Sequence, residues 1–486
     1  MNIINLNQDQ QEALALVEDF VFNNKTHEAL IIKGSAGTGK TTLIKAMMKA
    51  INRDQGLADL LHKRTGIVLA PTGRAARVLT EKLLPEFGAG TIHRQIYAID
   101  RAEVFEEAIN ENDPGVRLHF PLIKESPNNT IFIVDESSMV GDTDNKGDDI
   151  QFGSGRLLKD LIEYARLGRI GREGTPNCKI IFVGDPAQLP PVGNGDLSPA
   201  MSVDYLNNQY AIQALEVELK QVMRQAEGSG ILTAATQLRD NIMAKKFNRF
   251  DMPASADIVP CTISQAIEDY LQARKAKQTC VFISQSNAQV QLLNRTLRGR
   301  IWGEEGLPIQ RNDILLVNRS SRLSSVSVKN DQGELVAYDG ILPLTNGELV
   351  RVLDVGDQEK KVVNVRTKEG IVAVNLYFRH LTILVKGINQ EWLYANTFII
   401  ENLLESKERE LSALEVRALL VDFRQRNQKL KPNTADFTKS LIADPYFNAL
   451  QVKYGYAMTC HKAQGGEWDN AFVEFGNVDR NESSFR

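Results

Sequence analysis

Short apolar runs alternate with longer helical patterns along the first 200 residues. Four of these runs are rich in Ile and Val, and each ends at a Gly, Pro or acidic residue: ALIIKG (29–34), GIVLAPT (66–72), TIFIVDE (130–136) and CKIIFVGD (178–185). Continuous apolar strands separated by helices indicate a parallel sheet covered on both faces. Ligands of such sheets bind beyond the carboxyl ends of the strands, which is where this chain carries its unusual residues.

A second series of apolar runs follows later in the chain: TCVFISQS (279–286), YGYAMTC (454–460) and AFVEF (471–475). The segment 313–385 between them alternates apolar and polar residues between turn signals, which predicts a small antiparallel β-barrel or sandwich inserted into a second parallel sheet. Residues 401–430 are charged and have a helical pattern.

The fold class predicted from these patterns is α/β, with two parallel-sheet domains that each carry an insertion. The first domain is expected over 1–205, and its charged stretch 98–128 is expected to be a small projecting insertion. The second domain is expected over 206–312 and 446–486. The residues between them, 313–445, are predicted to form the inserted barrel and a helical segment.

Composition restricts the class of protein but does not identify it. The chain has 486 residues, a net charge of −4 and four cysteines without a C-x-x-C pair, so neither a disulfide framework nor a zinc site is expected. The first residues lack the pattern of a signal peptide, and no apolar run approaches the ~20 residues of a membrane span. We expect a cytoplasmic protein without a membrane partner, whose nucleic-acid binding, if any, is local rather than driven by bulk charge.

The octet Gly34–Thr41, GSAGTGKT, has the spacing G-x-x-x-x-G-K-[ST] and the strand–loop–helix context of a phosphate-binding loop. Its glycines allow successive backbone N–H groups to face a phosphate, and the helix start adds a favourable dipole. Lys40 is expected to reach the β and γ phosphates, and the hydroxyl of Thr41 is expected to bind Mg²⁺.

Two further strand ends carry candidate catalytic residues. Asp135 and Glu136 end the third run, where Asp135 would hold Mg²⁺ and Glu136 would polarise the attacking water. The alternative is a group of helix-capping residues. Gln188, in the turn GDPAQLPPV, could bond a γ-phosphate oxygen, and the alternative there is a plain turn made by Gly, Asp and Pro.

Together these segments resemble the superfamily 1 helicases, in the branch that contains the RecD, Dda and Pif families. The motifs that carry the resemblance are LNQDQ (6–10, the adenine-reading Q motif), GSAGTGKT (34–41, motif I), APTGRAARVL (70–79, Ia), TIHR (91–94, Ib), DESSM (135–139, II), GDPAQLPPVG (184–193, III), LKQVMRQ (219–225, IV), SQSNAQVQLLN (284–294, opening the second domain) and YAMTCHKAQGGEWD (456–469, V). The QLPPV ending of motif III is typical of this branch.

The resemblance implies roles in nucleotide binding and hydrolysis. The implied catalytic residues are Lys40, Asp135, Glu136, Gln188 and Arg224, with Arg224 as a γ-phosphate contact and Thr41 and Asp135 as the metal ligands. The implied ATP-binding residues are Gln10 at the adenine, together with Gly34, Ser35, Ala36, Gly37, Thr38, Gly39, Lys40, Thr41, Thr42, Gln464 and Gly465.

The resemblance also implies contacts to a nucleic-acid strand, of the kind that position the strand without reading its sequence. The implied residues are Pro71, Thr72, Arg74, Thr91, His93, Asn287, Thr459 and His461. Without the resemblance, His93 would be interpreted as a capped or core histidine and His461 as part of a solvated pair.

The family architecture implies two RecA-like domains that close on ATP and Mg²⁺ and move a single DNA strand, in the 5′→3′ direction, as a monomer. The expected partners are single-stranded DNA or a junction of single- and double-stranded DNA, and a protein partner is left open. Within this architecture, 98–128 would be the pin that splits the duplex. The segment 313–385 would be an SH3-like insertion that confines the strand.

The sequence departs from the family after motif V, because no Tyr-Thr-Ala-x-Thr-Arg run of motif VI precedes Arg486. The arginine of that run acts as an arginine finger in the family, and such fingers contribute about 10³–10⁵ in rate. The expectation from sequence is therefore ATP binding with weak hydrolysis unless a partner or an extended chain completes the site. Two alternatives stay open: a non-translocating, ATP-binding regulator or defence component, and a phosphate-loop kinase.

Overall fold

A computed structural model describes the chain over residues 4–52, 64–83, 86–98, 103–106, 116–125, 127–144, 150–168, 178–191, 193–195, 197–221, 229–247, 252, 254–304, 307–330, 332–338, 342–367, 370–387, 391–431 and 434–475. The strands are β1 (Ala29–Gly34), β2 (Thr65–Ala70), β3 (Ala89–Thr91), β4 (Glu103–Glu106), β5 (Val116–Phe120), β6 (Thr130–Val134), β7 (Ile150–Phe152), β8 (Lys179–Gly184), β9 (Ala214–Leu219), β10 (Cys280–Ser284), β11 (Ile314–Val317), β12 (Ser321–Leu323), β13 (Val326–Lys329), β14 (Leu335–Ala337), β15 (Leu342–Leu344), β16 (Leu349–Thr367), β17 (Gly370–Lys386), β18 (Trp392–Ile400), β19 (Leu450–Tyr454), β20 (Ala457–Thr459) and β21 (Asn470–Val473).

The helices of the described residues are α1 (Gln8–Phe22), α2 (Lys40–Ile51), α3 (Gly73–Lys82), α4 (Ile92–Ile96), α5 (Leu157–Ala165), α6 (Val203–Tyr210), α7 (Gly230–Met243), α8 (Ile263–Lys275), α9 (Asn287–Trp302), α10 (Ala413–Arg426), α11 (Ala435–Ala443) and α12 (Cys460–Ala463). None of these helices combines the length and the apolar character that crossing a bilayer requires. The expected cytoplasmic location stays a prediction.

The first sheet is parallel and has the strand order β3-β2-β6-β8-β1-β9. Its inner strands β6, β8 and β1 are buried on both faces. Leu30 and Ile32 of β1 pack in one apolar cluster with α1 and α2, whereas Ile31 belongs to the cluster on the opposite face, which includes Leu161 of α5. The predicted parallel sheet covered on both sides is confirmed, because each of the four apolar runs contains one of its strands.

The first sheet extends beyond the predicted domain end at residue 205. Strand β9 pairs with β1 along its whole length, from Ala29–Ala214 to Gly34–Leu219. The sequence ALEVEL alternates apolar and charged residues because β9 lies at the edge of the sheet. The prediction rested on continuous apolar runs, which are typical only of the inner strands, and it therefore set the boundary too early.

The three later apolar runs form a second parallel sheet with the order β20-β10-β21. Phe282 of β10 stacks on Phe472 of β21 with ring centroids 5.1 Å apart, and Tyr270 of α8 packs against both rings. The predicted second sheet is therefore present. The strands are brought together although most of the inserted segment lies between them in sequence.

The segment between these strands contains five short strands, β11 to β15, and the longer strands β16, β17 and β18 among the described residues. Strands β16 and β17 form an antiparallel hairpin, with register shifts between Val352 and Asp354 and between Val355 and Gln358. The chain of pairings β11–β16–β17–β18–β19 closes on itself, because β19 pairs with both β11 and β18. Strand β19 lies beyond the predicted insertion boundary at 445. The SH3-like identity of the insertion stays a prediction.

The predicted insertion 98–128 contains β4 and β5, which pair with each other antiparallel, and β5 pairs in parallel with β7. Residues 107–115 of this stretch lie outside the described residues. Its role as a duplex-splitting pin therefore stays a prediction.

A buried carboxylate ties the second sheet to the inserted strands. Asp313 precedes β11 and is fully buried. It accepts hydrogen bonds from Nε and Nη2 of Arg298 (3.2 and 3.0 Å), Nε1 of Trp302 (3.0 Å), the backbone N–H of Gln310 (2.7 Å) and the hydroxyl of Tyr456. Because Arg298 and Trp302 lie on α9 and Tyr456 precedes β20, this single side chain fastens three segments together.

We expect Asp313→Asn to destabilise this part of the molecule by about 3–5 kcal/mol, because it leaves the Arg298 guanidinium buried without its counter-charge. The measurement is the thermal unfolding midpoint by calorimetry. The matched control is Glu410→Gln, which neutralises an exposed acid paired with Arg409 and should change the midpoint little. Equal midpoints for the two variants would show that Asp313 does not support the fold in this way.

Candidate functional site

The phosphate loop connects the carboxyl end of β1 to the start of α2. Gly39 occupies the N-cap position of α2 with a φ of +76°, a left-handed conformation that favours glycine, and no side chain caps the helix. The first N–H groups of α2 therefore have no side-chain cap, which suits an anion. The Nζ of Lys40 donates to the carbonyls of Gly34 (2.9 Å) and Ser35 (3.0 Å), so the ammonium lies within the loop that it is predicted to serve.

Gln10 forms hydrogen bonds to the backbone of this loop. Its side chain is buried, and Nε2 donates to the carbonyls of Thr38 (3.0 Å) and Gly39 (3.4 Å). Its Oε1 accepts from the backbone N–H of Asn7 (3.0 Å) in a capping box that starts α1. The structure thus places Gln10 at the loop, and its reading of adenine stays a prediction.

The acidic pair follows strand β6, which is separated from β1 in the same sheet by one strand, β8. Asp135 and Glu136 follow β6, and Glu136 has a φ of +50°, a left-handed conformation that is uncommon for a residue with a side chain. Burial raises the pKa of Asp135, and burial, followed by the charge of Asp135, raises the pKa of Glu136 to about 7. Glu136 Oε2 is buried and has no hydrogen-bond partner among the described residues. A carboxylate with this pKa can accept a proton near neutral pH.

The turn that follows β8 is held by its own aspartate. Asp185 is buried, its Oδ1 accepts from the backbone N–H of Ala187 (3.0 Å), and its carbonyl accepts from the N–H of Gln188 (3.1 Å). The Oε1 of Gln188 accepts from Nε2 of Gln464 at 3.1 Å. Gln464 follows α12, next to the second sheet. Gln188 and Gln464 were predicted from two different motifs, and this hydrogen bond joins the turn after β8 of the first sheet to the segment between β20 and β21 of the second.

The phosphate loop and the turn after β8 border one cleft. Its volume is about 220 Å³, and it is lined by Ser35 and Ala36 of the phosphate loop, Asp185 and Gln188 of the turn, and residues of α7 that include Arg239. Sequence reasoning missed Arg239, because a single arginine on an amphipathic helix carries no motif.

Helix α3 and the segment after α12 contact each other. Thr72 caps α3 by accepting from the N–H of Ala75 (3.2 Å). Arg74, the next predicted strand contact, lies over the ring of Trp468 at 4.4 Å, and its Nη1 donates to the carbonyl of Lys462 at 3.5 Å. A Cβ on Gly465 would lie 3.8 Å from Ala75. The segment predicted to bind nucleotide is therefore adjacent to the helix predicted to bind a strand.

The two histidines predicted as strand contacts have different surroundings. His93 packs on Phe152 and Tyr97 with centroid distances of 5.0 and 5.6 Å, and burial lowers its pKa to about 4. It is therefore neutral near pH 7 and can contribute a hydrogen bond but not a charge. The side chain of His461 reaches solvent, and partial desolvation, followed by the charge of Arg409, lowers its pKa.

The remaining predicted residues have the following positions. Pro71 precedes α3, Thr91 caps α4 by accepting from the N–H of Arg94 (3.2 Å), Asn287 is the first residue of α9, and Thr459 directly precedes α12. Gly37 lies in the loop with a φ of +80°, and Thr41 and Thr42 lie in the first turn of α2. Arg224 lies outside the described residues. The assigned roles of all these residues stay predictions.

Comparisons with known proteins agree with this arrangement. The family model of the AAA domain matches residues 18–194. The ATP-dependent DNA helicase Dda of enterobacteria phage T4 is 24% identical, and the alignment covers 97% of this chain and 93% of Dda.

Two longer proteins match part of the chain. MJ1519 of Methanocaldococcus jannaschii is 34% identical over 44% of this chain, but the match spans 16% of that protein. The ATP-dependent RecD2 DNA helicase of Deinococcus radiodurans is 29% identical over 43% of this chain and 21% of its own length.

The match to Dda is nearly end to end in both proteins, whereas the AAA-domain model and RecD2 each match less than half of the chain. Together these matches support an assignment of the chain to the superfamily 1 helicases, in the branch that contains RecD, Dda and the Pif proteins.

Proposed function

We propose that this chain is an ATP-hydrolysing DNA helicase or translocase that moves along single-stranded DNA in the 5′→3′ direction. The observation that carries the proposal is the hydrogen bond between Gln188 and Gln464. It links the turn beside the phosphate loop to the segment between strands β20 and β21 of the second sheet. A nucleotide that changes the position of Gln188 thereby changes the contact between the two sheets, which is what a motor requires.

In this proposal the nucleotide phosphates lie in the loop of residues 34–42, with Lys40 at the β and γ phosphates. Glu136 takes the proton of the attacking water, which its raised pKa suits. Gln188 contacts the γ-phosphate and Gln10 the adenine. Arg224 contacts the γ-phosphate in the same scheme.

The site also suits Mg²⁺. Its oxygen donors are the hydroxyl of Thr41 and the carboxylate of Asp135, and Mg²⁺ bound with ATP uses one or two carboxylates together with phosphate oxygens. Burial raises the pKa of Asp135 despite the opposing charges of Lys40 and Lys82, and a bound cation would further offset that cost. When bound, the ion would neutralise charge on the phosphates.

The DNA strand would lie along α3, α4 and α12, held by Thr72, Arg74, Thr91 and His461. These side chains offer phosphate contacts that carry no sequence information. Movement requires that the grip on the strand differ between nucleotide states, because only differential affinity converts binding into motion. The closed ring of β11, β16, β17, β18 and β19 would be the SH3-like insertion that confines the strand, and β4 and β5 would belong to the pin. The motor would act as a monomer at a junction of single- and double-stranded DNA.

Glu136→Gln should abolish turnover but keep nucleotide binding, because it removes the proton acceptor and preserves the size of the side chain. We expect kcat for ATP hydrolysis to fall about 10²–10⁴-fold. The Kd for a fluorescent ATP analogue should stay within a few-fold of its original value. The matched control is Glu163→Gln on the exposed face of α5, which should leave both quantities unchanged. Hydrolysis by Glu136→Gln at the rate of the unmodified protein would refute the assignment.

The direction of movement can be tested with partial duplexes that carry a single-stranded tail on one side. We expect ATP-dependent separation of a duplex with a 5′ tail, and none with a 3′ tail or with blunt ends. Lys40→Ala supplies the control without nucleotide turnover. Separation of the 3′-tailed duplex would overturn the polarity. DNA-stimulated hydrolysis without separation of any duplex would favour a non-translocating ATPase.

A further inference from the structure

Arg239 forms ion pairs at the ends of the two strands that neighbour β1, the strand that leads into the phosphate loop. Strand β1 lies between β8 and β9, and at the last rung before the loop Lys33 is in register with Gly184 on one side and Glu218 on the other. From α7, the Nη2 of Arg239 donates to Oε1 of Glu218 at 2.8 Å. Its Nε donates to Oδ1 of Asp185, the residue after Gly184, at 3.3 Å. The guanidinium of Arg239 therefore joins two carboxylates, one directly after β8 and one near the end of β9.

The carboxylate of Asp185 shapes the turn that presents Gln188. The same Oδ1 that accepts from Arg239 accepts from the N–H of Ala187, and the carbonyl of Asp185 accepts from the N–H of Gln188. A buried carboxylate without partners is costly, so the ion pair with Arg239 stabilises Asp185 in this position. The conformation of the turn therefore depends on a residue of α7.

The position of the guanidinium suits a role in the reaction. Arg239 lines the cleft that also contains Ser35, Ala36 and Gln188. Its side chain is 18% exposed, so it is shielded from the solvent that weakens ion pairs. The planar fork of an arginine can engage two carboxylates at fixed angles, whereas the ammonium of a lysine is a point charge.

We propose that Arg239 is a positioning residue for ATP hydrolysis: it holds Asp185 and Glu218 across the phosphate loop and thereby fixes the turn that carries Gln188. This inference rests on the function proposed above. It assigns Arg239 no contact with the nucleotide. It predicts that loss of the guanidinium misplaces Gln188 in the reacting complex but leaves ground-state binding of ATP intact.

The test compares Arg239→Gln, Arg239→Lys and Lys246→Gln in steady-state ATP hydrolysis with a single-stranded oligonucleotide. We expect kcat of Arg239→Gln to fall about 10-fold or more while KM and the Kd of a fluorescent ATP analogue change less than about 3-fold, the pattern of a lost transition-state interaction. Arg239→Lys should recover part of the rate. Lys246→Gln removes an exposed positive charge just beyond α7 and should behave as the unmodified protein.

A double-mutant cycle with Gln188→Ala tests whether Arg239 affects hydrolysis through Gln188. If Arg239 acts through Gln188, Arg239→Gln should lower kcat much less in the Gln188→Ala background than in the unmodified one. Equal losses in both backgrounds, or unchanged kcat in Arg239→Gln, would overturn the inference while the proposed function stands. Absence of hydrolysis by the unmodified protein would contradict the proposed function itself.

The thermal unfolding midpoint distinguishes positioning from a purely structural role of Arg239. If the unfolding midpoint of Arg239→Gln lies well below that of the unmodified protein, kcat is compared for Arg239→Lys instead, because this variant keeps the positive charge. A full recovery of kcat by the lysine would contradict the need for the fork, and a reduced kcat at an unchanged midpoint and unchanged KM would support it.

Discussion

The start of α2 presents backbone N–H groups that no side chain caps, and the rest of the candidate site is arranged around that feature. Such groups are stabilised by an anion or by water, so the fold keeps the space before them open. The left-handed glycine at position 39 creates the sharp entry into the helix, and β1 delivers the loop from an inner position of the parallel sheet. Strands on both sides of β1 then end beside the same loop. Acidic residues and amides that follow those strands are thereby placed beside the loop.

The second constraint is the set of contacts that join the part of the chain around the first sheet to the second sheet and to the inserted segment. Besides the bond between Gln188 and Gln464, Arg74 lies over Trp468, and Arg77 forms an ion pair with Glu348, whose side chain is 3% exposed. Burial raises the pKa of Glu348, so its ionised form depends on Arg77 and on the N–H of Thr345. Helix α3 is therefore in contact with both the inserted segment and the segment after α12. Any rearrangement of the two sheets has to exchange these contacts together.

How far the sequence predicts this structure depends on how locally each feature is encoded. Apolar runs such as 29–34 predict inner strands because every residue is buried, and the loop at Gly34–Thr41 is specified by eight adjacent residues. The edge strand β9 was missed, since its alternating pattern resembles many exposed segments. Partnerships between distant residues, such as Arg239 with Asp185, depend on three-dimensional proximity that spacing does not encode. The motif residues were identified, but their partners were not.

Arg74, which is predicted to bind the nucleic-acid strand, already has a partner within the protein. Its guanidinium is engaged with Trp468, a contact that contributes about 0.5–2 kcal/mol depending on how far it is desolvated. Burial lowers the pKa of Arg74, so its charge is less well solvated than that of a surface arginine. A phosphate that binds Arg74 would restore favourable electrostatics and would displace a contact of similar strength. Exchange between two interactions of comparable free energy needs little driving force, so a small change at the nucleotide would be enough to select between them.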